Sequence, residues 1–299
     1  MKLIKKYPWL KYYSENVSDY IHPDYYDNLL KDYIFEGLTD LEHFRNCLNV
    51  ISKNGKLNNI LELGCGSGRA TKVLISSIED FGSLELIDLS PDMISHSKRR
   101  FSSDNRVSLF TEDSIEFLER TNIKYDFVFS LWSFSHSLHS HLEKSGIKEG
   151  SLYIGNVLIE FLKKKLNKGA RFFIIHFDSL SDEQRIVKRQ EAKTSIVYED
   201  KLNKQSYSKE IIDDVLRKLS KEKEIEFRCT HYKGREIVYE SIDKALEVFM
   251  NFHMETYFNR DDNVENVIEE IKEDFKPHTK DNGEVHISPG CFIYEIHRI

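Results

Sequence analysis

The stretch Asn59-Ile60-Leu61-Glu62-Leu63-Gly64-Cys65-Gly66-Ser67-Gly68-Arg69-Ala70-Thr71 decides how the rest of the chain folds. An apolar run ending in an acid leads into a glycine-rich turn, and apolar residues then recur at helical spacing from Ala70 to Ile78. The order strand, turn, helix is typical of the first βαβ unit of a nucleotide-binding fold. Glycine suits the turn because it adopts backbone angles that a Cβ forbids and lets a ligand approach the main chain. The helix that follows offers unpaired N–H groups to an electronegative ligand.

Further apolar runs follow at the spacing of a parallel α/β sheet. Residues 84–91 close a second strand at Asp88, about where a ribose-binding carboxylate is expected after the glycines. Residues 107–110 form a third run, and residues 125–132 form a fourth. Each run has polar or acidic residues at its carboxyl end, which is where an open parallel sheet places its ligand crevice.

Four of these segments resemble the motifs of a known family, the class I S-adenosylmethionine-dependent methyltransferases. Residues 61–68 resemble the first motif and residues 87–93 the second, whereas residues 112–114 and 125–130 are similar to the third and fourth more loosely. The resemblance covers about residues 58–135, and residues 169–178 extend it with a fifth strand. It implies S-adenosylmethionine as cofactor and an α/β fold. That fold is a Rossmann-like, mostly parallel seven-stranded sheet with helices on both faces.

The same resemblance implies which residues hold the cofactor. Glu62 and the main chain of Gly64 and Gly66 would hold the methionine part, Asp88 the ribose hydroxyls and Asp113 the adenine amino group. The other predicted cofactor contacts are Cys65, Gly68, Leu89, Ser114 and Ser130. Ordinary capping at strand ends is the alternative interpretation of Asp88 and Asp113.

The glycine spacing argues against a nicotinamide cofactor. A dinucleotide fingerprint is G-x-G-x-x-G, and Arg69 stands where the third glycine would fall, with Gly68 one position early. NAD or NADP is therefore the alternative cofactor for the fold, not the favoured one.

Length, composition and charge limit the class of protein. The 299 residues, 40% of them hydrophobic, suffice for one large α/β domain. A formal net charge of -7 gives no overall attraction to nucleic acid or to an anionic membrane. Four scattered cysteines without C-x-x-C spacing predict free thiols and a reducing compartment. With no signal peptide or membrane span in the sequence, we expect a cytoplasmic monomer or homodimer that binds a small-molecule substrate, no nucleic acid and no membrane.

The regions outside the motifs predict covering elements. Residues 1–56 are rich in aromatics and have apolar residues at helical spacing from about residue 29 to 41 and again to residue 51, which predicts N-terminal helices. In proteins of the family that the chain resembles, such helices often close over the cofactor, so the resemblance implies an N-terminal helical lid. Tyr13 and Tyr20 are candidate substrate contacts in that lid, although packing onto the sheet would explain them as well. Residues 57–299 form the predicted Rossmann-like domain, with covering insertions at about 179–220 and 241–280.

Candidate acceptor-binding residues follow the fourth strand. Residues 133–141 predict a Ser-rich loop with three histidines, and no neighbouring Asp, Glu or Cys completes a metal set, so no metal is expected. His136 is the candidate general base, because an imidazole can take the acceptor's proton as the methyl group arrives. A plain surface loop is the alternative. The remaining predicted substrate contacts are Trp132, His176 and His253, the last of which is equally a candidate core histidine.

These observations predict methyl transfer to a small molecule, with an amine nitrogen preferred over a hydroxyl because acidic and aromatic groups suit a cation. Two helices between the last two strands give a layout similar to that of histamine N-methyltransferase and related small-molecule enzymes. Three alternatives remain open. They are another use of the same cofactor, by intramolecular cyclisation or other alkyl transfer; methylation of a macromolecule; and cofactor binding without turnover.

Overall fold

A seven-stranded sheet lies at the centre of the computed structural model, which describes residues 5–10, 27, 30–253 and 264–299. The described residues contain eleven strands, of which seven form this sheet. The strands are β1 (Ile34–Phe35), β2 (Leu38–Thr39), β3 (Leu57–Leu63), β4 (Phe81–Asp88), β5 (Val107–Thr111), β6 (Tyr125–Leu131), β7 (Leu166–Phe177), β8 (Ile225–Lys233), β9 (Ile237–Tyr239), β10 (Val285–Ile287) and β11 (Gly290–Arg298). Outside this sheet, β1 pairs with β2 and β9 pairs with β10. The sheet order is β5-β4-β3-β6-β7-β11-β8. Neighbours from β5 to β7 are parallel, and β11 is antiparallel to both β7 and β8. The predicted fold class is confirmed.

Helices connect the strands and cover both faces of the sheet. They are α1 (Asp40–Ile51), α2 (Arg69–Ser77), α3 (Pro91–Phe101), α4 (Ser114–Arg120), α5 (Phe134–Ser145), α6 (Ile147–Glu160), α7 (Asp182–Glu191), α8 (Tyr207–Lys221), α9 (Ile242–Val248) and α10 (Val264–Phe275). π-helical turns, Phe161–Lys165 and Phe249–His253, follow α6 and α9. No helix in the described part of the chain combines the length and apolar character needed to cross a bilayer.

Side chains that alternate along each strand divide the core into two layers. On β3, Ile60 packs into one layer with Phe44 of α1, whereas Leu61 and Leu63 pack into the other with Phe134 of α5. All five are fully buried or nearly so. A central strand buried on both faces holds its carboxyl end rigidly, and the glycine turn begins at that end.

Side-chain caps stabilise the N-termini of the helices that follow the strands. Ser90 caps α3 by accepting a hydrogen bond from the N–H of Met93, and Pro91 is the first helical residue, as the sequence predicts. Asp113 caps α4. These caps define where the helices that follow β4 and β5 begin.

Two predicted elements are wrong. The helix predicted from residue 29 to 41 is instead a short turn at Leu30–Asp32 followed by the hairpin β1–β2, whose tight turn puts Glu36 and Gly37 at positive φ. The predicted Ser-rich loop at residues 133–141 lies mostly in α5, because Leu138 and Leu142 give it a buried face that its polar composition conceals. The residue 56 boundary remains a prediction. Tyr13 and Tyr20 lie outside the described residues.

Candidate functional site

The glycine turn wraps around the end of β4. The N–H groups of Gly64 and Cys65 both donate to the carbonyl of Ile87, at 2.8 and 2.9 Å. Gly64, Gly66 and Gly68 all have positive φ, as the turn requires of them. A Cβ on Gly64 would come within 2.0 Å of the Ser133 Oγ, whereas one on Gly66 would meet no atom within 4 Å. The main chain at Gly66 is therefore open to a ligand.

Asp88 is held against this turn by two main-chain donors. Its Oδ2 accepts from the N–H of Gly66 at 2.7 Å, and its Oδ1 accepts from the N–H of Ser90 at 2.9 Å. Burial raises the pKa of the carboxyl, and these two hydrogen bonds oppose that rise. The side chain still lines the cavity described below, so it can accept further hydrogen bonds from a ligand.

Glu62 lies behind the turn and is only 3% exposed. Burial raises the pKa of its carboxyl to about 8, against the hydrogen bond that Thr71 donates to it. A buried acid of this kind is neutral near pH 7 until a cation binds beside it. An ammonium group of a ligand would supply that cation.

One cavity of about 870 Å³ extends from the glycine turn past the ends of β6 and β7. Its volume lies within the range of small-molecule sites, which runs from roughly 300 to 1,000 Å³. The predicted residues that line it are Glu62, Gly64, Cys65, Gly66, Asp88, Leu89, Ser114, Trp132, His136, His176 and His253. The structure thus brings most of the predicted site together.

Three predicted cofactor residues do not line the cavity. The carboxylate of Asp113 accepts hydrogen bonds from the N–H groups of Ile115 and Glu116, and it also bonds the side chains of Ser137 and His141. These partners account for the side chain as a helix cap, which was the alternative interpretation.

The other two also have structural roles. The buried hydroxyl of Ser130 donates to the carbonyl of Leu63 at 2.7 Å, joining β6 to β3. Gly68 caps α2 and packs against Phe101, whose ring a Cβ would meet at 2.4 Å. Both residues support the glycine turn from outside the cavity.

Trp132 lines the cavity and contacts a buried ion pair behind it. Its indole N–H donates to the Asp40 Oδ2 at 2.8 Å, and Arg69 of α2 pairs with the same carboxylate. Asp40 is completely buried at the start of α1. Trp132 itself has φ of 70°, a conformation that is costly for a residue with a Cβ.

The roles of Asp40 and Arg69 are not predicted from the sequence. Arg69 also lines the cavity. The available signal was an arginine directly after the glycines, but nothing in the sequence identifies its partner.

The cavity histidines differ in how many of their ring nitrogens are already bonded. His176 is satisfied, since Nδ1 contacts the Phe177 carbonyl at 2.7 Å and Nε2 contacts the Ser208 hydroxyl at 2.9 Å. Burial lowers its pKa to about 4, so the ring is neutral. This arrangement favours a structural role for His176 over substrate contact.

His136 and His139 both lie on α5. The His136 ring is accessible from within the cavity, yet the surrounding protein lowers its pKa by desolvation. His139 bonds the Tyr198 hydroxyl through Nδ1 at 2.9 Å, whereas its Nε2 is buried without a partner among the described residues. Burial lowers the pKa of His139 as well. Both rings are therefore neutral and can accept a proton or a hydrogen bond.

His253 lies at the end of the π-helical turn after α9 and contacts Tyr33 and Glu183. Its Nε2 is 3.4 Å from the Tyr33 hydroxyl and 3.6 Å from the Glu183 Oε2. Tyr33 donates a short hydrogen bond to the same Glu183 oxygen. The described residues contain no group of three or more His, Cys, Asp or Glu side chains placed to hold a metal.

Parts of the chain are similar to known proteins. Residues 60–149 match the family model of the methyltransferase domain. A 77-residue stretch is 38% identical to polyamine aminopropyltransferase 2 of Aquifex aeolicus, over 23% of this chain and 15% of that protein. A 109-residue stretch is 28% identical to malonyl-[acyl-carrier protein] O-methyltransferase 2 of Ilyobacter polytropus, over 35% of this chain and 40% of that protein. The chain therefore spans less than half the length of these two relatives.

A solved structure with a similar fold is plantazolicin methyltransferase BpumL in complex with a pentazolic desmethylPZN analog and SAH. It is 14% identical with a TM-score of 0.46, and the match covers 99% of this chain and 96% of that one. The layout likeness to histamine N-methyltransferase remains a prediction. The match over residues 60–149, together with the motifs and the sheet order, identifies a methyltransferase domain in this chain that is similar to those of the class I S-adenosylmethionine-dependent methyltransferases.

Proposed function

We propose that this protein transfers the methyl group of S-adenosylmethionine to a small-molecule acceptor, and that the acceptor atom is an amine nitrogen rather than a hydroxyl oxygen. A single shared cavity carries the proposal, since the glycine turn and Asp88 line it together with His136 and His253. Methyl transfer is an in-line displacement, so the protein must align two bound molecules away from water. One cavity lined by both sets of groups meets that requirement.

We call the part of the cavity lined by residues of the segments 62–66 and 88–93 the donor end. It has groups that match the parts of S-adenosylmethionine. The donor supplies an electrophilic methyl group on a sulfonium, and the protein's contribution is to position it. Asp88 is proposed to accept hydrogen bonds from the ribose hydroxyls, and Glu62 to pair with the amino group of the methionine part. Leu89 is 52% exposed although apolar, and it offers a contact surface for the adenine.

We call the part of the cavity lined by α5, the end of β7, α7 and the π-helical turn after α9 the acceptor end. It has groups that suit a cation. The carboxylate of Glu143 and the rings of Trp132 and Phe177 line it. Aromatic faces and carboxylates both attract ammonium groups. His136 is the proposed general base, because its ring is neutral and no described side chain hydrogen-bonds it.

Calorimetry with S-adenosylmethionine tests the donor assignment. Asp88→Ala is expected to weaken binding by about 1–3 kcal/mol, roughly 5- to 150-fold, because charge-assisted hydrogen bonds are lost. Asp88→Asn is the matched control, since it keeps an acceptor oxygen for the Gly66 N–H and should lose less. Unchanged affinity in Asp88→Ala would refute the assignment.

The base assignment is tested by comparing turnover with donor affinity. His136→Ala is expected to lower kcat by about 100-fold or more, the usual contribution of a general base, while the Kd for S-adenosylmethionine stays within about twofold. Steady-state kinetics and calorimetry on the same preparation give the two quantities. Equal losses in both would indicate a structural role.

The choice between amine and hydroxyl needs a matched pair of probes. 2-Phenylethylamine and 2-phenylethanol differ in the acceptor atom and share the rest of the molecule. We expect methylation of the amine, detected by mass spectrometry, and little or none of the alcohol. Methylation of the alcohol alone would overturn the amine preference and leave methyl transfer standing.

A second candidate function is transfer of a different alkyl group. The match to a polyamine aminopropyltransferase supports it, although that match covers 15% of the relative. Incubation with decarboxylated S-adenosylmethionine and the same amine would distinguish the two functions. A product heavier by an aminopropyl group would favour this candidate, and one heavier by a methylene would favour methyl transfer.

A further inference from the structure

Glu183 is a buried carboxylate beside the acceptor end of the cavity that the proposed function leaves unused. It is 1% exposed at the second residue of α7, where the helix dipole stabilises a negative charge. Its Oε1 accepts a hydrogen bond from the Gln184 side chain at 3.2 Å, and its Oε2 accepts one from Tyr33. Both of these donors are neutral. Burying a carboxylate is costly, so a positive charge forming nearby would be stabilised.

The hydrogen bonds around Glu183 fix the tautomer of His253. A carboxylate can only accept, so the single hydroxyl proton of Tyr33 goes to Glu183. The Tyr33 oxygen is then the acceptor for the His253 Nε2–H, at 3.4 Å. A neutral imidazole with its proton on Nε2 carries a lone pair on Nδ1.

The other ring nitrogen of His253 remains available to a ligand. Nδ1 makes no hydrogen bond to any residue that the structure describes, and it is not among the buried polar atoms without partners. His253 also lines the cavity. Phe249 and Phe252 pack against the ring at 4.8 and 4.6 Å between centroids, which limits its rotation.

The geometry points to His253 as the proton acceptor for an amine substrate, with Tyr33 and Glu183 as the residues that orient it and stabilise its charged form. The inference rests on the proposed methyl transfer and concerns the step before it. An ammonium substrate loses one proton before attack, which is assigned to His253, and a second as the methyl group arrives, which is the proton assigned to His136 above. An amine is an ammonium ion near pH 7 and must lose a proton before its nitrogen can attack. The proton passes to Nδ1 of His253, and the electron pair of the broken N–H bond stays on nitrogen as the attacking lone pair. The imidazolium that forms lies beside the Glu183 carboxylate.

The electrostatics of the ring agree with this role. Burial lowers the pKa of His253, and Glu183 opposes the change. The ring is therefore neutral and ready to accept a proton. Within the described residues, Glu183 of α7 is the charged group that acts on it, and Tyr33 is the other titratable neighbour.

The tautomer can be measured without a known acceptor. In protein labelled with ¹⁵N-histidine, comparison with His253→Gln assigns the signals of His253. We expect a proton on Nε2 and none on Nδ1 near pH 7. Tyr33→Phe should abolish the tautomer preference, and Glu183→Gln should lower the pKa of His253 because it removes the stabilising charge. A proton found on Nδ1, or a pKa unmoved in Glu183→Gln, would overturn the inference.

Kinetics with S-adenosylmethionine and 2-phenylethylamine provide the second arm. His253→Gln should lower kcat by about 100-fold or more. Glu183→Gln should move the rising limb of the pH profile to lower pH. The matched control is His278→Gln, on the turn Lys276–His278 away from the cavity, and it should leave the profile unchanged.

The two proposals fail in different ways. Wild-type protein that binds S-adenosylmethionine and methylates the amine, with His253→Gln equally active, would overturn only the role of His253. Wild-type protein that never binds S-adenosylmethionine would overturn the proposed function. Because the tautomer measurement needs no turnover, it can overturn the His253 assignment even when the probe amine is not methylated.

Discussion

The donor end and the acceptor end of the cavity are formed by different kinds of groups. The donor end comes from two short segments at the ends of neighbouring parallel strands, residues 62–66 and 88–93, and relies on main-chain groups and two carboxylates. The acceptor end collects side chains from α5, the end of β7, α7 and the π-helical turn after α9. The strand ends hold the donor contacts rigidly. The acceptor contacts can change one side chain at a time without disturbing the sheet.

The largest expected effect follows from this rigidity. Gly64→Ala places a Cβ within 2.0 Å of the Ser133 Oγ at φ of 71°. Strain and overpacking each cost about 1–3 kcal/mol, so we expect a loss of donor affinity of about 100-fold or more. Calorimetry with S-adenosylmethionine measures the loss, and circular dichroism checks the fold.

A second substitution separates the two causes. Gly64→Ala combined with Ser133→Gly removes the clash and keeps the strained φ, so it should recover part of the affinity. Gly66→Ala is the matched comparison, because its Cβ meets no protein atom within 4 Å. If Gly64→Ala binds the donor as wild type does, the turn is less rigid than the structure indicates.

The same contrast explains what the sequence could predict. The donor end follows from local rules: an apolar strand, glycines at positive φ and an acid at the next strand end. Asp113 shows the limit of such rules. An acid at a strand end serves as a helix cap or as a ligand, and only the structure shows that Asp113 accepts the capping hydrogen bonds from the N–H groups of Ile115 and Glu116.

For the acceptor end, single residues could be predicted from the sequence, but their arrangement could not. Residues such as His136 and His253 could be singled out by type, but their meeting in one cavity depends on how distant helices pack. The burial of Glu183 could not be predicted from the sequence, because a charged residue in a charged segment normally lies in solvent. Its burial follows from the position of the segment beside Tyr33 and His253, which sequence periodicity does not contain.

The buried ion pair of Asp40 and Arg69 should give the next largest effect. Asp40→Ala removes the buried carboxylate to which Arg69 and the Trp132 indole both donate. Breaking a buried pair by removing one partner costs about 3–5 kcal/mol, so the free energy of unfolding should fall by about that amount. Urea denaturation measures it. Asp40→Asn keeps an acceptor for Trp132 and should lose less, and a loss below about 1 kcal/mol in Asp40→Ala would mean that the pair contributes little.

The smallest expected effect is the release of a proton from Glu62 when the donor binds. Burial raises the Glu62 pKa from 4.5 to about 8, so the side chain is protonated near pH 7 in the unliganded protein. A donor ammonium beside it would lower that pKa and release close to one proton per donor bound. Calorimetry in buffers of different ionisation enthalpy counts the protons.

The sign of this linkage sets its pH dependence. Because the folded-state pKa is raised, the protonated acid stabilises the unliganded fold, and that stability falls as pH rises from about 4.5 to about 8. Donor affinity should rise over the same interval and level off above it, because Glu62 is then already ionised. Glu62→Gln cannot release a proton and should show a flat profile. Proton release that persists in this variant would assign the linkage to another group, of which Asp88, with its own raised pKa, is the first to test.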